Sequence, residues 1–243
     1  MYLADVVKAT KVNILYVDNP PGLAAADAFG RQVLAKKGVT DVRLIPEKAD
    51  TADFTAALTA ASEGDPDAIM VLFPASGCGR IMQAKQALGV DVLTFYPGSC
   101  LNRDVLETGG EGAEGAYFNS ELLLFSDEVD PEVATYREKL EQYGPGTHEL
   151  SMFSQVGFLT VMNIVEVLNE VGDPAGLTSQ AVIDHMRTLK DHHSFMAHPY
   201  TCDAKQVAIL PAICSTHERI VQYRDGQAVD VLGEWLTGAD QIG

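Results

Sequence analysis

Short apolar runs and helix-forming stretches alternate with great regularity over the first 95 residues of this chain. Apolar segments at 13–17, 42–45, 68–73 and 90–95 are separated by helical stretches at 23–37, 51–63 and 80–88, which gives the order βαβαβαβ. Runs this short, rich in Val, Ile and Leu and bounded by Gly, Pro, Asn and Asp, are those of strands buried on both faces. The pattern therefore predicts an α/β fold with a parallel sheet flanked by helices. Right-handed crossovers follow from strand twist. Ile14, Leu15, Val17, Ile69, Val71, Leu72 and Val92 are the expected core of that sheet.

The pattern changes after a further short strand at 115–119. A helix is predicted at 131–143, opened by Asp130 as N-cap and Pro131 as the first helical residue. Two more follow at 151–171 and at 179–190, the latter capped by Thr178. The tail from 206 to 235 reads as short strands with a hairpin turn at Asp225-Gly226. The expected division is a parallel α/β domain at 1–125 and a helical region with C-terminal strands at 126–243. The glycine-rich stretch at 109–115 reads as an acidic turn.

With 243 residues, 47% of them hydrophobic, the chain can bury a substantial core and is expected to be folded and soluble. A formal charge of −17 argues against nucleic-acid binding and against adhesion to an anionic membrane surface. No stretch has the roughly 18 unbroken apolar residues of a membrane span, since 153–168 is interrupted by Ser154, Gln155, Asn163 and Glu166. Residues 1–11 lack the basic-then-apolar layout of a signal peptide, so the protein is either cytoplasmic or separated from its leader. The four cysteines form no C-x-x-C pair of the structural zinc type.

In an open parallel sheet, ligands bind beyond the carboxyl ends of the strands. Those ends are 18–22 after the first strand, 74–79 after the third and 96–100 after the fourth, all rich in Gly, Pro and Ser. They form either a small-molecule cleft or ordinary turns between strand and helix. An enzyme reading needs a nucleophile at such a turn, and Ser76 and Cys78 are the candidates, although neither has small residues two positions to both sides. Asp191, His192, His193, His198 and Cys202 are metal-ligating residue types without a zinc spacing, and they read as a polar loop. The glycines of these strand-end loops form no G-x-G-x-x-G, and no G-x-x-x-x-G-K-[ST] motif occurs anywhere, so no nucleotide and no other cofactor is expected.

The succession "KVNILYVDNPPGLAAADAF", "DFTAALTAASEGDPDAIMVLFPASGCGRIMQAKQALGV", "DPEVATYREKLEQYG" and "RIVQYRDGQAVDV" resembles the later two-thirds of type I periplasmic binding proteins. More narrowly it is similar to the branched-chain amino-acid-binding family that serves ABC importers. The resemblance runs from about residue 11 to about residue 232. It implies a non-enzymatic, periplasmic or extracellular protein that traps a small solute between two lobes and delivers it to the importer's membrane subunits. The segment at 13–119 is then the second lobe's sheet, with most of the first lobe outside this chain. Carried over by position, the ligand contacts are Asn19, Pro21 and Gly22, then Ala75, Ser76 and Gly77, then Tyr96, Gly98 and Ser99. Amino-acid binders would show aromatic residues in the first two loops and an acid in the third. Their absence leaves both an amino acid and another small polar or aromatic solute open. Export of the family implies disulfides, Cys202 with Cys214 and Cys78 with Cys100. The helix at 151–171 is apolar around too much of its circumference for a surface helix, which implies self-association where no lobe covers it.

Overall fold

The structure, a computed structural model, describes residues 1–146, 151–172, 174–207 and 210–238. It comprises two compact units, one of residues 1–120 and 219–236 and a second of 121–218 and 237–243.

The first unit is built on the expected sheet. Strands β1 (Lys11–Val17), β2 (Asp41–Glu47), β3 (Ala68–Leu72), β4 (Leu93–Tyr96) and β5 (Tyr117–Ser120) stand in the order β2-β1-β3-β4-β5, all parallel. In register, Tyr16 of β1 faces Leu72 of β3, and Met70 of β3 faces Phe95 of β4. Ile14, Leu15, Ile69 and Val71 are completely buried, as expected of a sheet covered on both sides. Val17, Leu72 and Val92 are only half-buried, because they lie at or beyond strand ends.

Around the sheet lie α1 (Tyr2–Asp5), α2 (Pro20–Ala25), a π-helical turn (Ala26–Gln32), α3 (Val33–Lys36), α4 (Thr55–Ser62), α5 (Ala75–Leu88) and α6 (Arg103–Gly109). Helix α5 begins five residues earlier than its sequence suggests. The glycines at 77 and 79 read as loop residues, since glycine weakens a helix interior. Here Gly79 lets α5 approach α6: a Cβ there would lie 2.8 Å from the Thr108 side chain and 3.0 Å from the Val105 carbonyl oxygen.

Two C-terminal strands extend the same sheet in the opposite sense. Strand β6 (His217–Arg224) pairs antiparallel with β5, and β7 (Gln227–Asp230) pairs antiparallel with β6. Their two-residue connection is Asp225-Gly226, both with positive φ (52° and 74°), the backbone that the sequence at this hairpin favours. A short β8 (Leu236–Thr237) also pairs with β6. The strand character expected at 206–214 is not found in the described residues of that segment, and Ala208 and Ile209 lie outside them.

The second unit holds α7 (Pro131–Tyr143), α8 (Met152–Val171) and α9 (Ser179–Met186). The Asp130, Ser151 and Thr178 side chains cap the three N-termini, each accepting a backbone N–H. The core is aromatic: Tyr136 of α7 packs edge-on against Phe125 and Phe158, and Phe158 meets Phe195 at a tilt. By length and mean hydropathy alone α8 reaches what a bilayer crossing requires. Several of its polar residues are engaged within the unit. Gln155 donates to the Leu123 carbonyl, Asn163 donates to Ser194 Oγ and accepts from the Phe195 N–H, and Glu166 pairs with His193.

Candidate functional site

The parallel register puts the ends of β1, β3 and β4 side by side on one edge of the first unit, so the three segments singled out from sequence issue from adjacent strands. The first is shaped by its own turn. Asn19 Oδ1 accepts the Gly22 N–H at 2.7 Å and caps α2, which opens with Pro20 and Pro21. A Cβ at Gly22 would lie 2.1 Å from the Val17 carbonyl oxygen, so no larger residue fits without a backbone shift. Asn19 and Pro21 are exposed and Gly22 half-buried.

The second segment is the first turn of α5 rather than a loop. Pro74 is its N-cap, Ala75 is half-buried, Ser76 is exposed, and Gly77 is buried against the Phe73 ring. The third runs from Tyr96 into a 3-10 turn (Gly98–Cys100). Gly98 is buried and Ser99 half-buried, while the Tyr96 ring is fully buried and stacked on Phe118 at 5.7 Å. Burial pushes the Tyr96 hydroxyl well above the usual phenol range, so it stays neutral.

A disulfide joins Cys78 of α5 to Cys100 of the 3-10 turn, Cα atoms 6.0 Å apart, and so fastens the second segment to the third. The pairing removes the nucleophile from the enzyme reading at Cys78, because a bonded sulfur offers no thiolate. At Ser76 no base is hydrogen-bonded among the described residues. The other expected pair also forms, Cys202 with Cys214 in the second unit, Cα atoms 4.4 Å apart.

Two positioning residues escaped the sequence reading. Asn119, at the end of β5, accepts the Gly98 N–H on Oδ1 at 2.9 Å. Asn102 caps α6 and donates from Nδ2 to the Ser99 carbonyl at 3.0 Å. Both hold the third segment in place. Asn102 before a helix is a legible N-cap, whereas nothing local marks Asn119.

Of the metal-ligating residue types at 191–202, Cys202 is in its disulfide and His198 stacks face to face on His217 at 3.6 Å. His192 and His193 meet glutamates. His192 Nε2 lies 2.9 Å from Glu170, and His193 lies between Glu166 (2.9 Å) and Glu132 (2.7 Å). Hydrogen bonds that the ring donates to Glu166 and Glu132 outweigh burial at His193 and raise its pKa. At His192 burial pulls downward, but the Glu170 carboxylate and the His193 carbonyl prevail, with the same net direction.

Comparison with known proteins places this architecture. No curated protein matches the chain. Among solved structures, a branched-chain amino acid ABC transporter protein from Thermus thermophilus with bound valine aligns with a TM-score of 0.78 at 16% identity, covering 99% of this chain and 64% of that one. A fatty acid ABC transporter substrate-binding protein from Thermomonospora curvata aligns with a TM-score of 0.79 at 17% identity, over 98% and 61%. An ABC-transporter solute-binding protein from R. palustris, in complex with 4-hydroxybenzoate, aligns with a TM-score of 0.74 at 18% identity, over 98% and 63%. The chain thus spans less than two thirds of the length of each structure. A family model described as periplasmic binding protein matches residues 1–211. With that match over most of its length and the parallel sheet of the solved type I members, the chain belongs to the periplasmic binding protein family.

Proposed function

We propose that the protein is the substrate-binding component of an ABC importer, working in the periplasm or at the cell exterior and handing a small solute to the importer's membrane subunits. The observation that carries the reading is the shared edge of β1, β3 and β4, where Asn19, Pro21, Gly22, Ala75, Ser76, Gly77, Tyr96, Gly98 and Ser99 lie on adjacent strand ends. An edge of this kind is where open α/β sheets take ligands.

The chemistry of the edge favours recognition over reaction. Its accessible side chains are small and uncharged apart from Asp18, with hydroxyls at Ser76 and Ser99 and backbone N–H groups at the start of α5. Such groups suit a small polar or aromatic solute bearing an acceptor, an amino acid included. The three aligned proteins bear on this: one holds valine, one serves a fatty acid transporter and one holds 4-hydroxybenzoate, and each of these compounds carries a carboxylate. Tyr96 serves from beneath, its buried ring supporting the third segment.

Calorimetric titration with a panel of amino acids, short fatty acids and hydroxybenzoates tests the reading, alongside Ser76→Trp. Ser76 is exposed, so the indole should leave stability nearly unchanged while filling the edge. At least a tenfold loss of affinity for whichever solute binds is expected. Undiminished affinity in that variant would place the site elsewhere.

A further inference from the structure

The second unit gathers three histidines and three glutamates into one connected cluster. Glu166 and Glu170 stand one turn apart on the same face of α8. His185, in the last turn of α9, reaches one Glu170 oxygen with Nε2 at 2.8 Å, and His192 reaches the other at 2.9 Å. His192 is placed by backbone pairing with Tyr200, N–H to carbonyl in both directions at 2.8 and 2.9 Å. Its Nδ1 lies 2.8 Å from the His193 carbonyl oxygen. That contact assigns the Nδ1 proton to the carbonyl and aims Nε2 at the glutamates, which is how ligating histidines are oriented from behind. His193 Nδ1 lies 2.9 Å from Glu166, and Glu132, which holds His193, also accepts the Met196 N–H.

We propose that Glu166, Glu170 and His192 bind a divalent transition-metal ion of the zinc class. One ligand atom from each of the first three residues lies within 4.8 Å of the others. Tetrahedral nitrogen and oxygen ligands at about 2.0–2.2 Å from zinc stand about 3.4 Å apart, so a small side-chain contraction closes the site. One imidazole set with two carboxylates suits a borderline ion better than calcium or magnesium, which prefer oxygen alone. The side chains of Glu166 and Glu170 are each about one third exposed (36% and 37%), which leaves the ion a route in, whereas His192 is held at 12%. The bound ion would replace the direct contact between His192 Nε2 and Glu170. It would cross-link α8 to the segment after α9, independently of the solute edge. The cysteines do not compete, since both pairs are disulfides.

The test is titration of the complete metal-free chain with Zn²⁺ alone, by calorimetry and by thermal shift. The expected result is one ion per chain and a raised melting temperature, with affinity lowered about tenfold or more in Glu170→Gln and in His192→Ala. His198→Ala, which alters the other histidine pair, should bind as the parent does. No Zn²⁺ binding, or binding retained in both cluster variants, overturns the proposal and leaves the cluster as an ion-paired network. Should either variant misfold, Co²⁺ added to the parent protein gives the answer by NMR. Paramagnetic loss of the His192 and His185 ring signals before those of His198 and His217 supports the site, and the reverse order refutes it.

Discussion

Removing the Cys78–Cys100 disulfide tests fold and site together. The bond closes a loop with a sequence separation of 22 residues, and both cysteines are completely buried. In the chain-entropy account, a loop of that length raises the free energy of the unfolded chain by about 3.4 kcal/mol at 25 °C. The Cys202–Cys214 loop, with a separation of 12, is worth about 2.8 kcal/mol on the same basis. Energetically the two are close, yet only the first joins two segments of the candidate solute edge. Cys78→Ala/Cys100→Ala should therefore lower stability by about 3 kcal/mol, or roughly 10 °C in melting temperature, and also weaken solute binding. Cys202→Ala/Cys214→Ala should lower stability by a similar amount with affinity unchanged. Urea melts followed by far-UV circular dichroism, with calorimetry on the same samples below the transition, separate the outcomes. A loss below about 1 kcal/mol in the first variant would refute the entropic reasoning. Equal affinity losses in the two variants would refute the assignment of the solute site to the edge fastened by Cys78 and Cys100.

Gly22→Ala should cost about 1–3 kcal/mol and disturb the first segment, because the added methyl meets the Val17 carbonyl; an unchanged urea midpoint would contradict it. The Asp67 carboxylate accepts the N–H groups of Thr10 and Lys11 and the Thr10 hydroxyl, which together hold it below the usual carboxylate range. A depressed folded pKa stabilises the protein above the unfolded value, and that contribution disappears as pH falls through the lower, folded one. Asp67→Asn should flatten the loss of stability below about pH 4, measured as the difference in acid titration between variant and parent. Helix α8 exposes Phe153, Val161, Ile164 and Val165, beside an apolar concavity of about 400 Å³ lined by Tyr136, Phe158 and Met162. The 243-residue chain should accordingly sediment as an oligomer, and Val161→Lys/Ile164→Lys should shift it toward monomer. A monomeric parent at high concentration would rule this out.

Where a residue's partner is close in the chain, its structure was legible. Asp130-Pro131 marks the start of α7 and Asp225-Gly226 marks the hairpin, because caps and turns are settled by hydrogen bonds spanning two to four residues. Alternation of strand and helix announced the parallel sheet for a similar reason, since each apolar run records how it is buried. The start of α5 was obscured at Gly77 and Gly79. Their cost to a helix is local, whereas the close approach of Thr108 and Val105 that Gly79 permits comes from another part of the chain.

Resemblance to an exported family brought the cysteine pairs within reach, but only the folded chain shows that one pair fastens two strand ends of a single edge. The same holds for Asn119, whose bond to Gly98 spans 21 residues, and for His192 and Glu170, which meet across 22. The sequence by itself thus determined the elements, their caps and the kind of sheet they build, all consequences of backbone geometry and local burial. Only the tertiary structure decided the strand order, the antiparallel return of β6 and β7, and which distant carboxylates, imidazoles and loops come together. Those choices depend on chain closure over many residues, where no short-range spacing records the partner.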